Sequence, residues 1–280
     1  MKDKVVLITG GSAGVGRAAA LGLARLGAGV VLLSRDPQRA EQTRRELTAA
    51  TGNERIRCLQ ADLSEWSSVR RAAEDFKERY PRLDVLMNCA GVLYPGRTVS
   101  VEGAEMTLAV EFLGHFLLTN LLLDLLKRSA PARILTATGN AAPLRFARIH
   151  FDDLQLEHHY NPVKAKLQAE LAKALFAMEL ARRLEGSGVT SNAFHPGLIR
   201  TRLIRNLPWI LRVPAAIGAA LFARETRTGV HLAASQEVEG ISGRLFERVG
   251  DERRVPLDEE AAGRLWETAE SLVGGIEPLQ

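Results

Sequence analysis

The chain has 280 residues, of which 46% are hydrophobic and 25% charged, a composition typical of a soluble globular protein with a sizeable core. Its net charge of +4 is only mildly basic, and its arginines are scattered along helical patterns without a clustered stripe. We therefore expect no nucleic-acid partner. A strand-like run begins at Lys4, and the longest apolar stretch, 207–223, is interrupted by Arg212 and two prolines. We expect neither a signal peptide nor an integral membrane span.

Short apolar runs alternate with helical patterns through most of the chain. Runs predicted as strands are Val5–Thr9, Gly29–Ser34, Ile56–Gln60, Asp84–Asn88, Arg133–Ala137 and Val189–Phe194. Helices are predicted between them, for example over Pro37–Ala50 and Ser64–Tyr80. Continuous apolar strands joined by helices are typical of a parallel sheet covered on both faces. The sequence thus predicts one doubly wound α/β domain over residues 1–280.

A long helix is predicted over Asn161–Glu185, with Pro162 in its first turn. A stripe of apolar residues along this helix predicts packing against the sheet. The stripe consists of Val163, Leu167, Leu171, Leu175 and Met178. The preceding connection, Gly139–Pro162, is long and polar. Long connections of this kind are often functional.

The two cysteines, Cys58 and Cys89, lie in strand-like runs. We predict buried thiols instead of a disulfide, which suits a reducing compartment. A cytoplasmic location follows as an expectation.

The segment Thr9–Gly16, TGGSAGVG, places glycines between a buried strand and a helix. A glycine turn there lets backbone amides approach a pyrophosphate, and the helix N-terminus favours its negative charge. A glycine triplet alone is equally compatible with a tight turn. Its position at the first strand–helix junction of a βαβ pattern is the context that a dinucleotide site requires.

The end of the second strand favours NADP(H) over NAD. An acidic residue there would hold the adenosine 2′-hydroxyl, whereas this chain has Ser34 followed by Arg35. A small residue leaves room for a 2′-phosphate, which the guanidinium can bind. The alternative is that Arg35 is a surface residue at the start of a helix.

Several motifs occur together: the glycine loop, Ala61–Leu63 (ADL), Asn88–Gly91 (NCAG) and His195–Thr201 (HPGLIRT). In this combination the chain resembles the short-chain dehydrogenase/reductase family, and within it the retinol-dehydrogenase-like branch. The likeness runs from about Lys4 to Gly274. Together with the strand alternation it implies a seven-stranded parallel Rossmann-type sheet with helices on both faces.

The loop, the end of the second strand and the resemblance together predict the residues that bind NADP(H). They are Gly10, Ser12, Gly14, Val15, Gly16, Ser34, Arg35, Asp62, Leu63, Asn88, Ala90, Gly91, Pro196, Gly197, Ile199 and Thr201.

The resemblance also implies four catalytic positions, and the chain departs from the family pattern at all of them. Where the family has Asn, Ser, Tyr and Lys, this sequence has Glu111, Gly139, Lys166 and Glu170. In the family the Tyr acts as general acid or base, and the Lys lowers its otherwise high pKa. We therefore expect a non-standard mechanism.

The replacements allow several interpretations. Lys166 and Glu170 are one helical turn apart, which is compatible with a simple salt bridge. Alternatively, Glu111, Lys166 and Glu170 converge on the catalytic pocket. A lysine between two carboxylates would stay protonated and suit oxyanion stabilisation, whereas a desolvated carboxylate would suit a general base. Glu170 would also accept hydrogen bonds from ribose hydroxyls, and Gly139 frees space for a bulkier substrate.

Tyr160 and Lys164 form a second YxxxK pattern in YNPVK. The branch commonly has a YNPxKA stretch before its catalytic Tyr, so both residues already have counterparts. We keep Tyr160 as a relocated catalytic residue only as an alternative.

Among the histidines, His158 and His159 lie in the polar connection and are weaker acid–base candidates. His115 and His195 are expected to be packed or hydrogen-bonded. No cluster of histidine, cysteine and acidic residues has metal-ligand spacing, so we expect no metal site.

The segment at about 200–225 falls where the family has its substrate lid. Its apolar residues, such as Trp209 and Ile210, predict a small hydrophobic substrate; helix packing and a peripheral membrane contact are the alternatives. The helices around 117–126 and 163–185 would form the family's dimer face, so a homodimer stays open.

Three functions remain open from the sequence. The first is an NADP(H)-binding enzyme with non-redox acid–base chemistry, such as cyclisation, isomerisation or dehydration, or with an atypical reduction. The second is an NADPH-dependent carbonyl reductase that uses Tyr160 or Lys166 as a substitute acid. The third is a catalytically silent nucleotide-binding regulatory protein.

Overall fold

The computed structural model describes residues 1–197, 226–253 and 258–275. In this part of the chain, one sheet runs in the order β3-β2-β1-β4-β5-β6-β7-β8. The strands are β1 Val5–Thr9, β2 Gly29–Ser34, β3 Ile56–Gln60, β4 Val85–Asn88, β5 Ala132–Ala137, β6 Val189–Phe194, β7 Leu245–Arg248 and β8 Asp251–Arg253. The first seven pair in parallel and β8 pairs antiparallel with β7. The predicted seven-stranded parallel sheet is confirmed, with β8 added at one edge.

Helices cover both faces of this sheet. They are α1 Gly14–Arg25, α2 Pro37–Thr51, α3 Trp66–Arg79, α4 Met106–Leu108, α5 Gly114–Arg128, α6 Ala141–Leu144, α7 Pro162–Arg183, α8 Arg227–Ala234 and α9 Glu259–Val273. A π-helical turn, Ala109–Leu113, joins α4 to α5, and a 3₁₀ turn spans Phe151–Asp153.

Two hydrophobic cores lie on opposite faces of the sheet. On one face the π turn, α5, α7 and α9 contribute a buried aromatic group in which the Phe116 and Trp266 ring centroids are 4.8 Å apart. On the other face α1, α2 and α8 pack through side chains such as Leu23 and Leu47. Strands buried on both sides explain why the sequence has continuous apolar runs instead of alternation.

The helix α7 begins one residue later than predicted, because the side chain of Asn161 caps it by accepting from the backbone N–H groups of Val163 and Lys164. Leu171 and Leu175 are buried as expected, whereas Val163 is 63% exposed. The first turn of α7 has no buried residue before Ala165, so the predicted apolar stripe begins too early.

The connection before α7 is more structured than its polarity suggests. It contains α6 and the 3₁₀ turn, and it buries the side chains of Leu154 and Leu156. These apolar anchors hold it against the core.

The two cysteines are free and half-buried, less enclosed than predicted. Burial raises the pKa of the Cys89 thiol to about 12.

One described stretch, Met106–Arg128, is long and apolar enough to cross a membrane by length and composition alone. Its most apolar window is 83% buried within the fold. The apolar character of α4, the π turn and α5 is thereby accounted for by packing against the sheet and its neighbouring helices.

The order of the strands reverses between β1 and β4, which are neighbours in the sheet. In open α/β sheets, ligands bind in the crevice beyond the carboxyl ends of the strands at such a reversal. The residues that follow β1 and β4 are therefore the first place to look for a site.

Candidate functional site

The glycine loop and the end of β4 contact each other at this crevice. Gly10 has a φ of +64°, and a Cβ added there would lie 2.9 Å from the Cα of Ala90. A Cβ on Gly16 would lie 2.6 Å from the carbonyl oxygen of Gly10. Only glycine fits at both positions, so the turn keeps its backbone accessible at the N-terminus of α1.

Four further predicted residues meet in two pairs, at the ends of β2 and β3 and in the glycine loop. The Oγ atoms of Ser12 and Ser34 are 2.8 Å apart. The Arg35 side chain is 65% exposed, and its guanidinium lies 3.7 Å from a carboxylate oxygen of Asp62. A weak, exposed pair of this kind leaves the guanidinium free to meet an anion. Leu63, by contrast, is buried in the core.

Asn88, at the end of β4, has a fully buried side chain that donates to the Thr119 hydroxyl at 3.1 Å. The side chain therefore supports the end of the strand from within the core and does not line the crevice. Its part in cofactor binding stays a prediction.

His115 is packed and hydrogen-bonded as predicted. Its Nδ1 lies 2.8 Å from the carbonyl oxygen of Glu111 and must donate, so Nε2 accepts from the Thr9 hydroxyl at 2.7 Å. Burial lowers the pKa of His115 to about 3, which keeps the ring neutral. Thr9 Oγ1 in turn accepts from the backbone of Cys89 and Ala90, tying the loop to β4.

Four charged side chains form a closed ring beside the crevice, which we call the four-charge ring: Glu111, Lys166, Glu170 and Lys173. The Nζ of Lys166 lies 2.5 Å from Glu111 Oε1 and 2.7 Å from Glu170 Oε1. The Nζ of Lys173 lies 2.9 Å from Glu111 Oε2 and 2.9 Å from Glu170 Oε2. Each ammonium thus bridges both carboxylates, and the ring has no net charge.

Local structure explains this convergence. Lys166, Glu170 and Lys173 are spaced by four and three residues along α7, which places them on one face of the helix. Glu111 lies on the π turn, where an extra residue per turn alters the direction of side chains. Its Oε1 also accepts from the backbone N–H of Val92 at 3.0 Å, just after β4.

The ring is buried to different depths. The side chains of Glu111 and Lys173 are 0% and 5% exposed, whereas Lys166 is 24% exposed. An ammonium has three N–H donors. The Lys166 ammonium donates to Glu111 Oε1 and forms an ion pair with Glu170 Oε1, and it has no further partner among the described residues.

Electrostatics keeps Lys166 and Glu170 ionised. Burial works to lower the pKa of Lys166, but Glu111 and Glu170 outweigh it through Coulombic attraction and hydrogen bonds, so the pKa lies above its ordinary value of 10.5. Burial works to raise the pKa of Glu170, but Lys173 and Lys166 together hold it below its ordinary value of 4.5. Glu170 is consequently a weak base in this arrangement.

Two glycines border the ring. A Cβ on Gly139 would lie 3.6 Å from the Cβ of Glu170, an ordinary contact, so the position has room for a larger side chain. A Cβ on Gly91 would lie 3.3 Å from Glu111 Oε1. Gly91 therefore links the predicted cofactor-binding residues to the ring.

Tyr160 lies before α7 and donates its hydroxyl to the carbonyl oxygen of Tyr94 at 3.0 Å. Burial raises its pKa. Among the described residues, Tyr160 has no hydrogen bond to a member of the ring. The structure places the YxxxK pattern of Tyr160 and Lys164 across the helix boundary.

The remaining predicted residues fall near or beyond the described part. Pro196 and Gly197 follow β6, at the same edge of the sheet as the glycine loop. Ile199, Thr201 and the predicted lid segment at about 200–225 lie outside the described residues. Their roles stay predictions.

Lys173 is the member of the site that sequence analysis missed. The available signal was its spacing of three residues from Glu170 on a predicted helix, where two opposite charges meet.

Comparisons with known proteins agree with this architecture. The model of the short chain dehydrogenase family matches residues 4–151. The chain is 41% identical to retinol dehydrogenase 14 of Mus musculus, covering 98% of this chain and 87% of that protein. The chain belongs to the short-chain dehydrogenase family. It is also 37% identical to human retinol dehydrogenase 13, over 97% of this chain and 85% of the relative.

Solved structures share the same fold. A protein from Mycobacterium paratuberculosis matches with a TM-score of 0.74 and 30% identity, covering 96% of this chain and 93% of that chain. The Pseudomonas aeruginosa RhlG/NADP active-site complex matches with a TM-score of 0.66 and 27% identity, covering 88% and 94%.

Proposed function

We propose that this member of the family binds NADP(H) and acts on a small hydrophobic carbonyl compound, with the Lys166 ammonium as hydrogen-bond donor to the substrate oxygen. The observation that carries the proposal is the position of Lys166. It is fixed by two carboxylates beside the crevice, partly exposed, and has one N–H left over among the described contacts.

Cofactor binding rests on three features of this chain. The glycine loop needs the absence of Cβ atoms at Gly10 and Gly16. Ser34 and the exposed Arg35 suit a 2′-phosphate. A structurally similar protein, RhlG of Pseudomonas aeruginosa, was solved as an NADP active-site complex. The residues present therefore fit NADP(H), which supplies hydride transfer when bound.

Under this proposal the family's catalytic Asn, Ser, Tyr and Lys are replaced by Glu111, Gly139, Lys166 and Glu170. The raised pKa of Lys166 makes it a poor proton donor but a permanent cation. A fixed cation stabilises negative charge that develops on a carbonyl oxygen. This favours enolate-type chemistry such as isomerisation, cyclisation or dehydration over a conventional reduction, although an atypical reduction uses the same interaction.

Two observations support a small hydrophobic substrate. The relatives are named retinol dehydrogenases, and retinol is a small hydrophobic alcohol. Gly139 has no side chain beside Glu170, and an added Cβ would make only ordinary contacts there, so the site is less filled than with a serine.

A second candidate is a catalytically silent protein that binds the nucleotide. The observation in its favour is that the four charges neutralise one another within the ring. A reductase that uses Tyr160 is supported less, because the Tyr160 hydroxyl is bonded to a backbone carbonyl.

The test has two parts. NADPH binding is measured by fluorescence titration, and then apolar ketones and aldehydes are incubated with the NADPH complex. Nicotinamide absorbance and product masses are followed together, in the native protein, in Lys166→Met and in the matched control Lys164→Met, which lies on the same helix outside the ring. Product formation that is lost only in Lys166→Met supports the proposal.

Other outcomes select the alternatives. NADPH consumption that survives Lys166→Met but not Tyr160→Phe supports the Tyr160 reductase. Binding of NADPH without turnover supports the silent protein. Absence of NADPH binding contradicts every version.

A cytoplasmic location, a single domain over 1–280, a homodimer and a peripheral membrane contact stay predictions.

A further inference from the structure

Lys173 is more deeply buried than Lys166, yet it contacts both carboxylates that hold Lys166. Its side chain is 5% exposed, and its Nζ lies 2.9 Å from Oε2 of Glu111 and of Glu170. Lys166 contacts the Oε1 atoms of the same two carboxylates. The Lys173 ammonium thus holds the two carboxylates on their buried side, and their other oxygens face the Lys166 ammonium.

We infer that Lys173 is the positioning residue of this site: it fixes Glu111 and Glu170 so that their outer oxygens hold the Lys166 ammonium at the crevice. This inference rests on the proposed function. Lys173 does not touch the reacting group. It acts on that group through the two carboxylates that hold Lys166.

The physical reason is charge balance in a buried space. Glu111 and Glu170 would repel each other with only Lys166 between them, and one of the two would take up a proton. A protonated carboxyl donates a hydrogen bond and holds an ammonium less strongly. With Lys173 present, each carboxylate meets two cations, and the pKa of Glu170 lies below its ordinary value.

Other titratable groups near the ring do not supply this balance. Cys89, after β4, has its pKa raised to about 12 by burial, and His115, on α5, has its pKa lowered to about 3. Both are neutral at physiological pH. Among the described residues facing Lys173, the carboxylates of Glu111 and Glu170 are the charged partners.

The direct readout is the ammonium group of Lys166. Its ¹H–¹⁵N NMR signal is followed in protein labelled at lysine Nζ, in the native chain, in Lys173→Met and in Lys173→Arg. We expect the Lys166 signal to shift and its exchange with water to quicken severalfold in Lys173→Met, and to be largely retained in Lys173→Arg. The variant Lys166→Met assigns the Lys166 signal, and Lys164→Met serves as control. An unchanged Lys166 signal in Lys173→Met overturns the inference.

A second readout separates positioning from simple packing. In Lys173→Met a ring carboxylate takes up a proton more readily, so the loss in melting temperature relative to the native protein should shrink as the pH falls toward 4.5, the ordinary value for Glu. A pure packing defect gives a loss that does not change with pH, and that result also counts against the inference.

If Lys173→Met does not fold, the double variant Lys173→Met with Glu170→Gln keeps the test open, because it restores neutrality with Glu111 and Lys166. We expect it to fold and to show faster exchange at Lys166 than the single variant Glu170→Gln. Exchange at Lys166 that is equal in the double and the single variant contradicts the inference. Failure of the proposed function is distinguishable, since it appears as the absence of any Lys166 shift when NADPH and cyclohexanone are added to the native protein.

Discussion

The Nζ of Lys166 lies 2.5 Å from Oε1 of Glu111, although the two residues are 55 positions apart in the chain. The same carboxylate oxygen accepts from the backbone of Val92. One buried carboxylate therefore joins α7, the π turn and the end of β4, and the candidate site depends on it.

Glu111→Gln should destabilise the fold strongly. The amide leaves two lysines facing one carboxylate, and removing one partner of a buried ion pair costs about 3–5 kcal/mol. Urea unfolding measures the loss. The control Glu46→Gln removes an exposed partner of Arg17, where both side chains are more than one-third exposed, and should cost less than about 1 kcal/mol. Equal losses in the two variants would contradict the ring's importance.

The pH dependence of stability should carry the signature of the ring. The folded pKa of Glu170 lies below 4.5, so its contribution is present above that pH and is lost as the pH falls through the folded value. The folded pKa of Lys166 lies above 10.5, so its contribution is present below that pH and is lost as the pH rises through the folded value. Thermal melts across both limits should show these losses, and Glu170→Gln should flatten the acid side. An acid limb that is identical in Glu170→Gln would argue against this origin.

Gly16→Ala should impair both folding and NADPH binding. The new Cβ would lie 2.6 Å from the Gly10 carbonyl, and overpacking of this kind typically costs about 1–3 kcal/mol. Gly263→Ala is the matched control, since a Cβ there meets nothing within 4 Å. It lies inside α9 and should stabilise by about 0.5–1 kcal/mol through the gain in helix propensity. Calorimetry and fluorescence titration check the pair, and normal NADPH affinity in Gly16→Ala would refute the assignment of the loop.

Arg35→Ala should weaken NADPH binding while leaving NADH binding nearly unchanged. A charge-assisted hydrogen bond contributes about 1.5–3 kcal/mol, which corresponds to roughly tenfold or more in Kd. Arg45→Ala is the control, because Arg45 is 74% exposed and pairs with Glu41 on α2. Parallel titrations with both nucleotides decide the matter. An equal effect on NADPH and NADH would remove Arg35 from the 2′-phosphate site.

Restoring the family pattern should require a fifth substitution. Glu111→Asn, Gly139→Ser, Lys166→Tyr and Glu170→Lys together leave Lys173 beside an introduced ammonium, without a carboxylate. Adding Lys173→Asn removes this repulsion, so the fivefold variant should melt at a higher temperature than the fourfold one. Gain of NADPH-dependent reductase activity then tests the alignment. A fourfold variant as stable as the fivefold one would show that Lys173 is not coupled to these positions.

Some features of this protein depend on local sequence, and others depend on tertiary packing. Strands such as β1 and β2 were predicted with their observed ends, because each is a continuous apolar run bounded by turn residues. The glycine loop could be predicted from the sequence as well, because its requirement for glycine arises from contacts within a short stretch of chain. Val163 was assigned to the buried stripe wrongly, because periodicity gives the face of a helix but not where the helix leaves the core.

By itself, then, the sequence determined the parallel sheet, the nucleotide loop and the identity of three members of the ring. Only the tertiary structure decided that Lys173 completes it and that Glu170 is a weak base. Lys173 and Glu111 are 62 positions apart, and their Nζ–Oε2 contact of 2.9 Å exists because α7 packs against the π turn. Ionisation in a buried space depends on every charge within reach, and the sequence does not give those distances.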